Sequence, residues 1–150
     1  MESNDQFRQR LIELFSAQNL AALSTHHEGQ PYTSLVAFHA ADDLRHLYFV
    51  TPKTTRKFAN LTADNRVSVM VNSSTNQASD FHRAISVTAV GRAHIVDGSD
   101  SAAILAQYLA KHPHLEEFAR SPSCALVGVS VKSYYMVKNF QNVMELHLES

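Results

Sequence analysis

The stretch NLAALSTHHEGQPYTSLVAFHAADDLRHLYFVT, residues 19–51, divides into three apolar or alternating runs, near 20–26, 31–40 and 46–51. The turn-rich HEGQP separates the first two and the polar ADDLR separates the second from the third. Runs of this length bounded by Gly, Pro, Asp and Asn read as strands, and three in succession predict a β-meander.

On the N-terminal side, Phe7, Leu11, Leu14 and Phe15 recur at helical spacing, with Arg8, Arg10 and Glu13 on the other faces. An amphipathic helix over residues 5–18 follows. On the C-terminal side, TTRKFANLTAD sets Phe58 and Leu61 one turn apart behind Thr54 or Thr55, either of which suits an N-cap. RVSVMVN (66–72) is a fourth strand, SSTNQASDFH (73–82) a polar loop, and AISVTAVGRAHIV (84–96) a long fifth strand. Within that fifth strand, Gly91 marks a bulge or a close approach of another backbone. Ile104, Leu105, Tyr108 and Leu109 give a second long helical pattern over 99–111, which Pro113 stops, and HLEEF (114–118) is a further short helical piece. SPSCALVGVSVKSYYMVKN (121–139) is the sixth strand, alternating Leu126, Gly128 and Ser130 against Val127, Val129 and Val131. Six strands with few helices must hide their edges, so the expected class is mainly β with minor α: a six-stranded antiparallel barrel with flanking helices.

With 150 residues, 45% hydrophobic and 18% charged, the chain suits one domain over 1–150. A formal net charge of -1 gives no general basic field, so neither nucleic acid nor an anionic membrane is an expected partner. The apolar runs fall short of a membrane span, and MESNDQFRQR lacks the pattern of a signal peptide. Cys124 is the only cysteine. A cytoplasmic location is the expectation.

YFVTPKTTRKFANL, residues 48–61, poses the chemical question. Lys53, Arg56 and Lys57 gather where a strand ends and a helix begins. A helix N-terminus carries unpaired N–H groups and roughly half a positive charge, so each cation there costs about 0.3–1 kcal/mol. A phosphate cancels that cost, with Arg offering a planar fork of donors and Lys a point charge. The bland alternative is a set of solvated surface charges. The chain has 4 glycines and neither a Walker nor a dinucleotide pattern to decide between the two.

Read in order, residues 20–97 resemble the FMN-binding split β-barrel family related to pyridoxamine 5'-phosphate oxidase. The shared features are a strand ending in Ser-Thr, a Gly-x-Pro turn, an apolar strand, an aromatic-x-Thr strand end, a Thr-Arg-Lys helix start, then Asn-Leu and an Arg-Val-Ser strand. The resemblance implies FMN as cofactor, with Arg56 and Lys57 on its phosphate and Thr55 as a hydroxyl donor. It further implies backbone contacts to the ring from Ser34, Leu35 and Val36, extending to His39. Val50 and Thr51 would line the ring or ribityl chain, and Ser86 would reach the flavin from the next long strand. Family members are typically homodimers with the cofactor at the subunit interface, so a second copy of the chain, a small-molecule substrate and an electron donor are the implied partners. The implied activity is that of an FMN-dependent oxidoreductase, with catalytic residues unassigned.

Two departures narrow this. Ser34 stands where the vitamin B6 oxidases have arginine, and SYYMVKNFQNVMELHLES lacks their Trp and Arg-x-His. Vitamin B6 oxidation is therefore not expected. The family also contains haem and deazaflavin binders, which keeps open a haem-binding or haem-degrading protein and a non-catalytic flavin carrier or sensor. His39, His82 and His147 are the candidate axial ligands for haem. His26, His27, His112 and His114 have no metal-ligand spacing, and no metal site is expected. Cys124 reads as a small packed residue rather than a nucleophile.

Overall fold

The computed structural model describes residues 3–139 and 142–148. Helix α1 (Asn4–Ala17) opens with a capping box in which the Ser3 side chain accepts from Gln6 N–H and the Gln6 side chain reaches back to Ser3 N–H. Its buried stripe is Phe7, Leu11, Leu14 and Phe15, the residues that the periodicity selects. The meander follows as β1 (Leu20–His27), β2 (Gln30–Ala40) and β3 (His46–Pro52), and helix α2 (Arg56–Ala63) leads into β4 (Arg66–Asn72). Between β4 and β5 (Ile85–Ile95) the polar loop carries a four-residue helix, α3 (Asp80–Arg83). Asp80 organises it by accepting from the N–H groups of Thr75, Asn76 and Gln77. Helices α4 (Ser101–Lys111) and α5 (Glu116–Ala119) precede the long strand β6 (Cys124–Lys138) and a seventh strand, β7 (Asn142–His147).

The sheet order is β3-β2-β1-β4-β5-β6-β7, and β3 also pairs with β6. That pairing closes six antiparallel strands into a barrel, which leaves β7 outside it on the far half of β6. The closed barrel is the expected architecture. Strand β7 stands beyond the six expected strands: NVMELH buries only Leu146 and half-buries Met144, so its alternation is faint.

Inside the barrel, Leu23, Val127, Val129, Tyr134 and Met136 are completely buried, joined by Phe38, Phe49 and Val87. The α1 stripe closes one side through Phe15, whose ring meets Phe38 edge-on at 5.8 Å. A smaller apolar cluster of Val50, Tyr108, Leu109 and Ala119 fixes α4 and α5 to the outside of β3. Gly91 has both expected roles. The β5–β6 register shifts between Val90 and Gly91, and a Cβ at Gly91 would stand 2.0 Å from the Ser130 carbonyl oxygen.

Candidate functional site

Helix α2 is fixed by its first and middle residues. Thr55 is its N-cap and accepts from Phe58 N–H at 3.3 Å. The Thr55 hydroxyl also lies 2.9 Å from that of Thr51 and 3.0 Å from the Pro52 carbonyl. Thr51 is fully buried at the end of β3, so strand end and helix start form one hydroxyl-linked corner. Farther along, buried Asn60 donates to the buried Thr25 hydroxyl of β1 at 3.1 Å, anchoring α2 to the barrel.

This corner separates the three cations. Lys53 turns away, donating to the Pro122 carbonyl at 3.3 Å. The Arg56 guanidinium stands 5.9 Å from the centroid of the Tyr32 ring, and among the described residues neither Arg56 nor Lys57 forms an ion pair. Tyr32, Ser34 and Val36 share one face of β2, because side chains alternate along a strand. Ser34 therefore lies one step from the residue under Arg56, and its Oγ is buried without a hydrogen-bond partner. A buried hydroxyl in that state costs about 1–3 kcal/mol, which a ligand contact or water would recover. Two unpaired cations, free helix N–H groups and an orphan hydroxyl at one corner fit the phosphate end of a phosphorylated cofactor such as FMN.

The other residues implied by the resemblance lie elsewhere. Leu35 points outward, 69% exposed, whereas Val36 is in the barrel core. Val50 is buried in the cluster under α4 and α5. His39 is at the opposite end of β2, roughly 20 Å along the strand from Tyr32, in a cleft with Phe15, Asp42 and Lys111. Ser86 lines a third cleft, of about 490 Å³, on the outer face with Met70, Asn72, Phe81 and Val137. One chain thus collects Ser34, Thr51, Thr55, Arg56 and Lys57, but not His39 or Ser86.

The histidine pairs also separate. His26, expected at a solvated turn, accepts from Gly29 N–H through Nδ1 and lies 3.1 Å from Asp64 through Nε2. Arg66 forks onto the same carboxylate at 2.7 and 3.0 Å and holds it well below the usual carboxylate range. His112 is buried with Nε2 at 2.7 Å from the Phe38 carbonyl. Beside it, Lys111 donates to the Phe15 carbonyl at the end of α1 at 2.8 Å and sits 4.0 Å from the Phe38 ring centroid.

Burial lowers the Lys111 pKa from its ordinary 10.5 to about 8. Between those values the folded chain holds fewer protons than the unfolded one, so Lys111 makes stability rise with pH across that window. Denaturant unfolding measured from below to above the window is expected to show this rise, and Lys111→Met is expected to flatten it. Equal pH dependence in both proteins would contradict the placement of this amine.

A family model described as pyridoxamine 5'-phosphate oxidase matches residues 7–138. No curated protein matches the chain. Among solved structures, a heme binding protein from Mycobacterium smegmatis superposes with a TM-score of 0.82 at 17% identity over 98% of this chain, which spans 59% of that protein's length. A fad-binding protein from Mesorhizobium loti gives 0.68 at 17% identity, covering 85% of this chain and 90% of the other. A Clostridium acetobutylicum protein related to general stress protein 26, of the pyridoxinephosphate oxidase family, gives 0.75 at 14% identity, with 97% of both chains covered. Structural likeness at these identities carries the fold, and the match over residues 7–138 carries the lineage: the chain belongs to the pyridoxamine 5'-phosphate oxidase family.

Proposed function

We propose that the chain is a single FMN-binding domain acting as an oxidoreductase on a small molecule, with the cofactor held between two copies of the chain. The observation that carries this reading is the α2 corner, where Arg56 and Lys57 lack carboxylate partners among the described residues beside the orphan Ser34 hydroxyl. Arg56 and Lys57 would hold the phosphate together with the free N–H groups of the first turn of α2. The Thr55 hydroxyl caps the helix and so positions those N–H groups. Bound FMN supplies the redox chemistry, and the protein supplies anchoring, orientation and electrostatics. Main-chain donors of Ser34 to Val36 are the natural partners for the acceptor atoms of the ring.

The separation of Ser86 from the α2 corner supports the two-copy form. A site that draws on both clefts is easier to build from two chains than from one. The outer face is suited to such pairing: Leu35, Ala22, Met70, Thr88 and Tyr135 form one cross-strand row, beside a second row of Asn72, Ser86, Val137 and Val143. Leu35 and Val143 are 69% and 60% exposed, an apolar display that pairing would cover. Light scattering is expected to give twice the chain mass, and Leu35→Lys to shift it toward the monomer and lower FMN retention. A monomer at high concentration in the unaltered protein would contradict this arrangement.

Haem and a deazaflavin are the competing occupants, and a flavin carrier without turnover is the competing role. Of the three histidines considered for haem, His147 lies 2.6 Å from Ser133 Oγ and 3.4 Å from Glu145, and His39 stacks on Tyr48 at 6.4 Å, whereas His82 stands exposed on α3. Titration of the purified protein with FMN, followed by absorption and fluorescence, tests the cofactor. Saturable quenching supports the reading, and retention of haem in place of FMN contradicts it.

A further inference from the structure

At the end of β2 away from the α2 corner, a cleft of about 260 Å³ lies between the last turns of α1, the β2–β3 loop and the end of α4. Its walls are apolar, formed by Ile12 and Phe15 of α1, Ala40 of β2, and Ala41 and Leu44 of the loop. Lys111 and His39 bring an amine and an imidazole into it, and the exposed Ser16 and Asp42 complete the lining.

The packing of α4 puts the amine there. Tyr108 Oη donates to the Ala37 carbonyl at 3.1 Å, and the buried His112 has Nε2 at 2.7 Å from the Phe38 carbonyl, so the end of α4 is pinned to β2. Lys111, the last residue of α4, then reaches across to α1. Its Nζ stands over the Phe38 ring and donates to the Phe15 carbonyl near the C-terminus of α1. Helix α1 has no basic residue in its own last turn, so an amine from another element meets the negative end of its dipole. Both contacts favour the ammonium form, yet burial outweighs them and brings the pKa to about 8. At neutral pH roughly a tenth of this amine is uncharged, against less than about a thousandth for an ordinary lysine. The titratable groups around it are His39 on β2, His112 on α4 and Asp42 on the loop. Burial also lowers the His39 pKa, so a neutral imidazole shares the cleft.

A desolvated amine held in place beside an apolar space is a nucleophile toward carbonyl carbon. Ligand cavities usually span about 300–1,000 Å³, so a volume of 260 Å³ limits the partner to a small molecule. We propose that the cleft takes up small aldehydes with an apolar body and that Lys111 holds them covalently as an imine. The Nζ lone pair attacks the carbonyl carbon and a C–N bond forms. The carbonyl oxygen takes both amine protons and departs as water, leaving C=N, and no oxidant or reductant is consumed. The body of the aldehyde lies against Ile12, Phe15 and Leu44. The site shares no residue with the Arg56–Lys57 corner and does not depend on the cofactor.

Incubation of the full chain with benzaldehyde and cyanoborohydride at neutral pH, followed by peptide mass mapping, tests the assignment, because the hydride converts the imine to a stable benzylamine. The adduct is expected to form at Lys111 at least about tenfold faster than at Lys53, Lys57, Lys132 or Lys138. Its rate at Lys111 is expected to saturate with benzaldehyde and to fall severalfold on addition of benzyl alcohol, which has the same body without the carbonyl. Labelling of Lys111 no faster than of the other lysines, a rate that rises linearly without saturation, or a rate unaffected by benzyl alcohol would each overturn the proposal.

Discussion

Replacing Arg56 and Lys57 together by Ala is expected to weaken FMN retention by about a hundredfold or more, while leaving the fold intact. Each residue is assigned one charge-assisted contact to phosphate, worth roughly 1.5–3 kcal/mol, and 1.4 kcal/mol is a factor of ten. The loss of both also removes the charge that draws the phosphate to the helix start. The fold is expected to survive because neither side chain forms an ion pair among the described residues, and α2 is held by Thr55, Asn60 and Leu61 instead. Relieving two cations at a helix N-terminus is even slightly stabilising in the absence of ligand. Fluorescence titration with FMN and a melting curve on the same sample measure both effects. Unchanged FMN affinity would contradict the assignment of the phosphate site.

Gly91→Ala is expected to cost at least about 3 kcal/mol of stability, the upper end of the usual range for overpacking. A methyl there would meet the Ser130 carbonyl oxygen at 2.0 Å and its carbon at 2.9 Å. These are main-chain atoms, so no side-chain rotation relieves the clash and the β5–β6 ladder itself must move. That ladder runs from Ile85–Lys138 to Ile95–Val127 and forms one wall of the closed barrel. Denaturant unfolding reads the loss, and a cost below about 1 kcal/mol would contradict the close approach. Gly128→Ala is a milder contrast, because the new Cβ at Gly128 meets side chains, the His94 ring at 2.7 Å and Tyr48 at 3.1 Å.

The barrel is legible in the sequence wherever each strand has one buried and one exposed face. Val127, Val129 and Val131 against Leu126, Gly128 and Ser130 give the inner and outer faces of β6 directly, and all three valines are in the core. Closure follows from the need to hide edges, and Gly91 signals the bulge. The edge strand β7 has too few buried positions to stand out, and α3 is set by carboxylate-to-backbone hydrogen bonds that have no periodicity.

The α2 corner is legible for a different reason. Thr, Arg and Lys adjoin in sequence, and the cap places the helix start between Thr55 and Arg56. Position along one chain says less about the other residues implied by the resemblance. Val50 and Thr51 are neighbours, yet strand alternation sends Thr51 to the corner and Val50 under Tyr108 and Leu109. Ser34 and His39 lie on one strand, but its length keeps them apart. Arg66 and Arg92 are likewise brought face to face by strand register, not by sequence proximity.

On the function proposed above, the paired charges at residues 56 and 57 hold a flavin phosphate. Gel filtration of the purified chain after incubation with FMN, monitored by visible absorption, tests it most directly. Flavin absorption bands that elute with the protein, and elute free of it in the Arg56→Ala/Lys57→Ala variant, are the predicted result. FMN that separates completely from the unaltered protein, or a Soret band in place of the flavin bands, would contradict it.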